Sequence, residues 1–166
     1  MKQGEKKTQK SRKNSSSPSR GDRGGLLSPN FTLEEMCRSK TAATRFILNE
    51  PSDPVVLENL KRLAERVLQP LRDHVGKPLI VSSGYRTVAL NNYLKGAKNS
   101  YHIYGCAADL RMDNWEMAYD CASFVTRELP FNEVIISKRD SSIWLHVAYR
   151  MGDTKRYVGF WEYRSE

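Results

Sequence analysis

No apolar run in this sequence approaches the roughly 18 residues that a membrane-spanning helix needs, so no transmembrane segment is expected. Its three cysteines, Cys37, Cys106 and Cys121, are too few and too odd in number for a disulfide framework. They are also too widely spaced for a zinc knuckle. No G-x-S-x-G elbow surrounds Ser82 or Ser83, and no glycine-rich phosphate loop closes on Lys-Ser/Thr. The basic start of the chain is not followed by an apolar core of the kind a secretory leader carries. The expectation is a protein made in the cytoplasm without a signal peptide. Beyond residue 25 there is no basic patch interleaved with aromatics, which argues against nucleic acid as the principal partner.

What is present is enough for one folded unit. The chain has 166 residues, is 39% hydrophobic and carries a formal charge of +8. That length suits a single domain with a tail. Lys2, Lys6, Lys7, Lys10, Arg12, Lys13, Arg20 and Arg23, set against Glu5 and Asp22, place +6 within residues 1–25 and leave +2 elsewhere. This stretch is rich in Ser, Lys and Gly and cannot bury enough apolar area to offset chain entropy. We read residues 1–27 as a disordered basic tail suited to an anionic polymer, and residues 28–166 as the folded domain.

Thr32-Leu-Glu-Glu35 is a capping box opening a short helix to about Ser39. Ser52-Asp53-Pro54 opens a longer helix in which Val56, Leu57, Leu60, Leu63, Ala64, Val67, Leu68 and Leu71 form one apolar stripe. Pro70 is expected to kink it, Gly76 to end it, and His74 to be a surface residue complementing its dipole. Leu79–Val81 reads as a buried strand, Val88–Leu94 as a short helix, Cys106–Met112 as a strand and Asn114–Leu129 as a helix. Glu133–Ile136 and Ile143–Tyr149 read as a hairpin, with an edge strand at Tyr157–Trp161. The fold class is α+β: a single domain with N-terminal helices packed on a small antiparallel sheet.

Strand alternation puts Ala107, Asp109 and Arg111 on one face, and Trp144 and His146 opposite the apolar Ile143, Leu145 and Val147. His102, in the preceding loop, joins Asp109 and His146 over a single sheet face. Two imidazoles and one carboxylate can supply three zinc ligands and leave a fourth position for water. The same three residues also admit ordinary roles, as a loop histidine, a salt-bridged carboxylate and a packed strand residue. Cys106 reads as small buried packing beside the site, and Cys37 and Cys121 as core.

The segment Ser100-Tyr-His102-Ile-Tyr-Gly105-Cys-Ala107-Ala-Asp109 resembles the S-x-H-x-x-G-x-A-x-D signature of the zinc D-Ala-D-Ala carboxypeptidase family. Ser83-Gly84-Tyr85-Arg86 is similar to its SGYR block, and Trp144-Leu-His146 to its WxH block. The likeness covers about residues 30–150. Its fold, the hedgehog/DD-peptidase fold, is shared with vancomycin-resistance dipeptidases, several phage endolysins and the hedgehog signalling domain. The resemblance implies one zinc ion on His102, Asp109 and His146. It implies a substrate carboxylate on Arg86, where a guanidinium fork suits bidentate pairing, and a substrate-side hydroxyl from Ser100; Trp144, from its place on the last strand, reads equally as a pocket wall or as core. The implied substrate is the peptidoglycan stem peptide.

Close relatives carry a glutamate where this chain has Ser137, and a serine hydroxyl cannot take the proton of attacking water. Glu133, of the same strand parity but some ~13 Å from Ser137, and Asp140, in the hairpin turn, are the candidates for general base. The resulting reading is a zinc metallopeptidase that hydrolyses cell-wall peptide bonds, released to the wall as a phage or prophage lysin and retained there by its tail. The alternative is a non-catalytic zinc-binding recognition module, favoured by Ser137.

Overall fold

A computed structural model describes residues 25–163; the expected tail falls almost wholly outside them. Folded structure begins at β1 (Leu26–Ser28), paired with β2 (Phe31–Thr32). Leu27 enters the core, so the ordered chain takes in two residues assigned to the tail by a boundary at 28. The capping box forms as the sequence dictates. Thr32 Oγ1 accepts from the Glu35 N–H at 3.1 Å and opens α1 (Leu33–Cys37). A second short helix, α2 (Lys40–Arg45), follows. It has no apolar periodicity to announce it and is built on the Ser39 cap, which accepts from the Ala42 N–H.

Asp53 caps α3 (Pro54–Leu63), with Pro54 in the first turn. The helix does not simply kink at Pro70. It widens into a π-helical turn, Ala64–Leu68, and resumes as α4 (Gln69–Val75). A proline ring clashes with the carbonyl four residues back, and the wider turn, in which Gln69 N–H bonds Ala64 O, relieves that conflict. Gly76, at φ 71°, closes the helix. The predicted stripe is buried from Leu60 to Leu71, while Val56 and Leu57 at its start are half-buried. Each fully buried side chain of this kind contributes on the order of 1.5–3 kcal/mol. His74 is tied to the neighbouring helix α6 (Trp115–Glu128), bonding Asp120 at 2.9 Å and stacking on Phe124.

The main sheet has the order β3-β4-β6-β5-β7, with β3 (Val81–Ser83), β4 (Ala107–Met112), β5 (Glu133–Arg139), β6 (Ser142–Ala148) and β7 (Tyr157–Tyr163). The short helix α5 (Val88–Tyr93) lies between β3 and β4 in sequence. Strand β3 begins two residues later than expected and is half-exposed, because it lies at the sheet edge. The sheet is not wholly antiparallel. The chain leaving β6 passes beyond β5, so β7 runs parallel to β5 on its far side.

That crossover is fastened by Asn132, 2% exposed, which donates to Asp153 O and Lys155 O and accepts from Arg150 N–H. Helix α6 buries Ala118, Cys121 and Val125 in a core shared with Val134, Ile136, Leu145 and Val147. Alternation therefore turns Glu133, Ile135 and Ser137 of β5, and Trp144 and His146 of β6, to the opposite face.

Candidate metal centre

Register assembles the site. Asp109 on β4 stands directly opposite His146 on β6, which in turn pairs with Ile135 on β5. His102 comes from the loop before β4, where Gly105, at φ 70°, turns the chain so closely past α3 that Val56 O would lie 2.7 Å from any Cβ. The ligating atoms of His102, Asp109 and His146 all lie within 4.8 Å of one another. Asp109 Oδ1 is 3.4 Å from His102 Nε2 and 2.8 Å from His146 Nδ1. Tetrahedral zinc with bonds of about 2.0–2.1 Å sets its ligand atoms roughly 3.3 Å apart, so this donor set fits the ion.

Surrounding groups aim each ligand. His102, 3% exposed, donates Nδ1–H to Gly84 O at 2.6 Å, leaving Nε2 to face Asp109. Burial pushes its pKa down, toward the neutral form that a metal requires, against the pull of Asp109. Asp109 also loses solvation by burial, but the two histidines beside it outweigh that and hold its carboxyl far below the ordinary range. Its second oxygen, Oδ2, accepts from Arg86 Nη2 at 3.0 Å. Arg86 is itself anchored by Nε–H to Ser83 Oγ at 2.9 Å.

His146 has the opposite balance from His102. Burial disfavours its charged form, but bonds to Asp109 and to Glu133, 3.1 Å from Nε2, raise its pKa to about 9. The metal-free protein thus holds His146 charged at neutral pH. A pKa raised above its unfolded value stabilises fully below about 6.5, and that contribution fades as pH climbs through 9. Thermal unfolding in chelator is expected to show a falling Tm between pH 6.5 and 9.5, with His146→Ala showing a flatter profile. Equal slopes for the two proteins would contradict the assignment.

These residues form the floor of an open cleft of about 590 Å³ that Arg86, Ser100, Trp144, Glu133 and Ser137 also line. Of the two base candidates, Glu133 reaches the site and Asp140 sits at φ 53° in the β5–β6 turn, outside the cleft lining. The distance from Glu133 to Ser137 is the wrong gauge. His146 pairs with Ile135, midway between them, so Glu133 approaches the histidine from the other side. Cys106 is buried behind the loop, and burial pushes its thiol up to about 11.

Sequence reasoning missed the Gly84 carbonyl, which acts through backbone geometry, and Asn132, whose side-chain amide bonds a crossover distant in sequence and leaves no pattern signal. It also missed Trp161 and Tyr163, which line the cleft. Alternation from Tyr157 places them on one face once β7 is extended to residue 163.

The family model for Peptidase M15 matches residues 29–148. A 44-residue stretch is 50% identical to the zinc D-Ala-D-Ala carboxypeptidase of Streptomyces albus G, covering 26% of this chain and 17% of that protein.

Proposed function

Since the chain belongs to the peptidase M15 family, we propose that it is a zinc-dependent peptidase acting on peptidoglycan stem peptides. The observation that carries this reading is the convergence of His102, Asp109 and His146 on the floor of an open cleft. Bound there, a zinc ion supplies Lewis acidity toward a carbonyl oxygen and an acidified water near neutral pH. The remaining work belongs to the chain. Arg86 spends Nε and Nη2 on Ser83 and Asp109, so its other nitrogen, Nη1, takes the substrate carboxylate. Ser100, whose hydroxyl accepts from the His102 N–H at 3.4 Å, offers a polar contact on the substrate side. Trp144 walls the cleft.

The proton role goes to Glu133, the carboxylate of the cleft lining that is not a ligand. One of its oxygens holds His146 Nε2–H, on the far side of the ring from Asp109. Its other oxygen is the one we assign to receive the proton, relayed by solvent in the open cleft. Asp140 is the second candidate, reachable only if the hairpin turn folds inward.

The test is amine release from a D-Ala-D-Ala peptide and from purified peptidoglycan, expected with zinc-loaded protein and abolished by chelator or by His102→Ala. Glu133→Gln keeps an acceptor for His146 but cannot carry a proton. It is expected to lower kcat by ~10²–10⁴-fold with zinc affinity held, whereas Glu133→Ala weakens zinc as well, by ~10–100-fold. Full activity in Glu133→Gln would reduce this residue to holding His146. A second reading, a zinc-bearing recognition module, is favoured by the buried Ser137, 3% exposed, at the position where relatives carry a carboxylate. It predicts tight peptide binding without release.

Among the described residues no helix is long and apolar enough to cross a membrane. Delivery to the wall as a phage-type lysin, with the basic stretch of residues 1–25 holding anionic polymer, completes the proposal.

A further inference from the structure

The cleft extends past the metal ligands over a part of the sheet that the proposed chemistry leaves unused. Ser137 on β5 has a tryptophan directly opposite on each side, Trp144 on β6 and Trp161 on β7. Two residues on, Arg139 pairs with Tyr163. Tyr163 stacks on Trp144 at 5.8 Å and 17°, and meets Trp161 edge-on at 6.4 Å. The Arg139 guanidinium lies over the Tyr163 ring, 5.0 Å from its centroid. A guanidinium laid on a ring is fixed by its face and keeps its N–H donors in plane, open to a carboxylate. Ser137, between the tryptophans, adds no charge of its own to that face. Around the whole cleft the cations Arg86, Lys95 and Arg139 face the carboxylates Asp109 and Glu133, and Asp109 is already bonded to both histidines and Arg86.

We infer that Arg139, seated on Tyr163 and walled by Trp144 and Trp161, is a second carboxylate subsite that selects acidic peptides. The inference rests on the reading that the cleft binds peptide and names the kind of peptide it prefers. Asp109, the partner of Arg86, lies in line with Ile135, two strands from it and four residues short of Arg139. Strand spacing and rise put the Asp109 and Arg139 Cα atoms roughly 16 Å apart. An extended peptide spans that with about five residues. One carboxylate then rests on Arg86 and the other, an acidic side chain near the far end, on Arg139. The aromatic walls cover the intervening peptide planes.

The test uses full-length, zinc-loaded protein carrying Glu133→Gln, which keeps the metal while slowing turnover, and two N-acetylated pentapeptides ending in D-Ala-D-Ala, with Glu or Gln at the first position. Binding is followed by calorimetry and by tryptophan fluorescence, to which Trp144 and Trp161 in the cleft contribute beside Trp115 outside it. The Glu peptide is expected to bind about tenfold more tightly at low salt, with the margin shrinking as salt screens it. Arg139→Gln is expected to erase the preference while leaving the Gln peptide's affinity and the zinc content unchanged, and Arg139→Lys to keep part of it. Equal binding of the two peptides, or a preference that survives Arg139→Gln, overturns the subsite and leaves the peptidase reading standing. Binding of neither peptide, with zinc in place, overturns the peptide reading and the subsite together.

Discussion

Zinc, at about one equivalent in the intact protein, is expected to be absent from His146→Ala purified in parallel, as read by native mass spectrometry. The reason lies in the shared oxygen, since Asp109 Oδ1 stands between the two imidazoles. Removing His146 leaves two donors, too few for a tetrahedral protein site with one open position. Loss of an outer hydrogen bond to a ligand costs roughly 10–100-fold in affinity, and loss of the ligand itself costs more. The fold is expected to persist, because Leu145 and Val147 on the other face of β6 still fill the core. Far-UV circular dichroism like that of the parent, with no metal, is therefore the combined signature. A variant that still holds one equivalent would remove the centre as described.

Gly84→Ala is expected to damage stability and metal binding together. A Cβ at this position would lie 2.3 Å from Met36 O and 3.0 Å from the Met36 carbonyl carbon and Cα. These are backbone atoms at the end of α1, which cannot swing aside as a side chain would. Parting the segments also breaks the Tyr85 N–H bond to Met36 O, 2.7 Å long. Overpacking of this kind costs about 1–3 kcal/mol, and the lost buried hydrogen bond adds about 1 kcal/mol. The same shift moves the Gly84 carbonyl that fixes the His102 ring, so zinc affinity should fall by ~10–100-fold. Gly76→Ala is the comparison. Unlike Gly84 it is held at a positive φ, but it meets open space, so it should cost only the ~1–2 kcal/mol of left-handed strain and leave zinc unaffected. Urea unfolding beside zinc competition separates the two, and a Gly84→Ala protein as stable as its parent would refute the argument.

Much of this architecture was legible from local rules. The Thr32 and Asp53 caps, the Leu60–Leu71 stripe and the alternation around Asp109 and His146 each act over a few residues, where the chemistry of side chains dominates. That His102, Asp109 and His146 meet was legible from the faces of two strands and a loop, and reading them as a metal centre came from the family resemblance. What escaped depends on contacts distant in sequence. Nothing within Tyr157–Tyr163 says whether it joins β5 or β6, because that choice is made by Asn132 fastening the crossover. The contact of Glu133 with His146 is hidden in the sequence because the two residues lie on neighbouring strands, thirteen residues apart. The π turn before Pro70 resolves a steric conflict that the apolar periodicity does not record.

Because Asp109 and His146 are direct neighbours across β4 and β6, the centre exists only when these strands are correctly aligned. A slip of one residue would turn one of the two toward the core and dissolve the constellation. An ion captured here deepens the free-energy well of the one correct pairing among its near alternatives. The cation therefore fastens a pairing that Leu145 and Val147 have already chosen by filling the core, and withholding it should lower the unfolding temperature without displacing the strands.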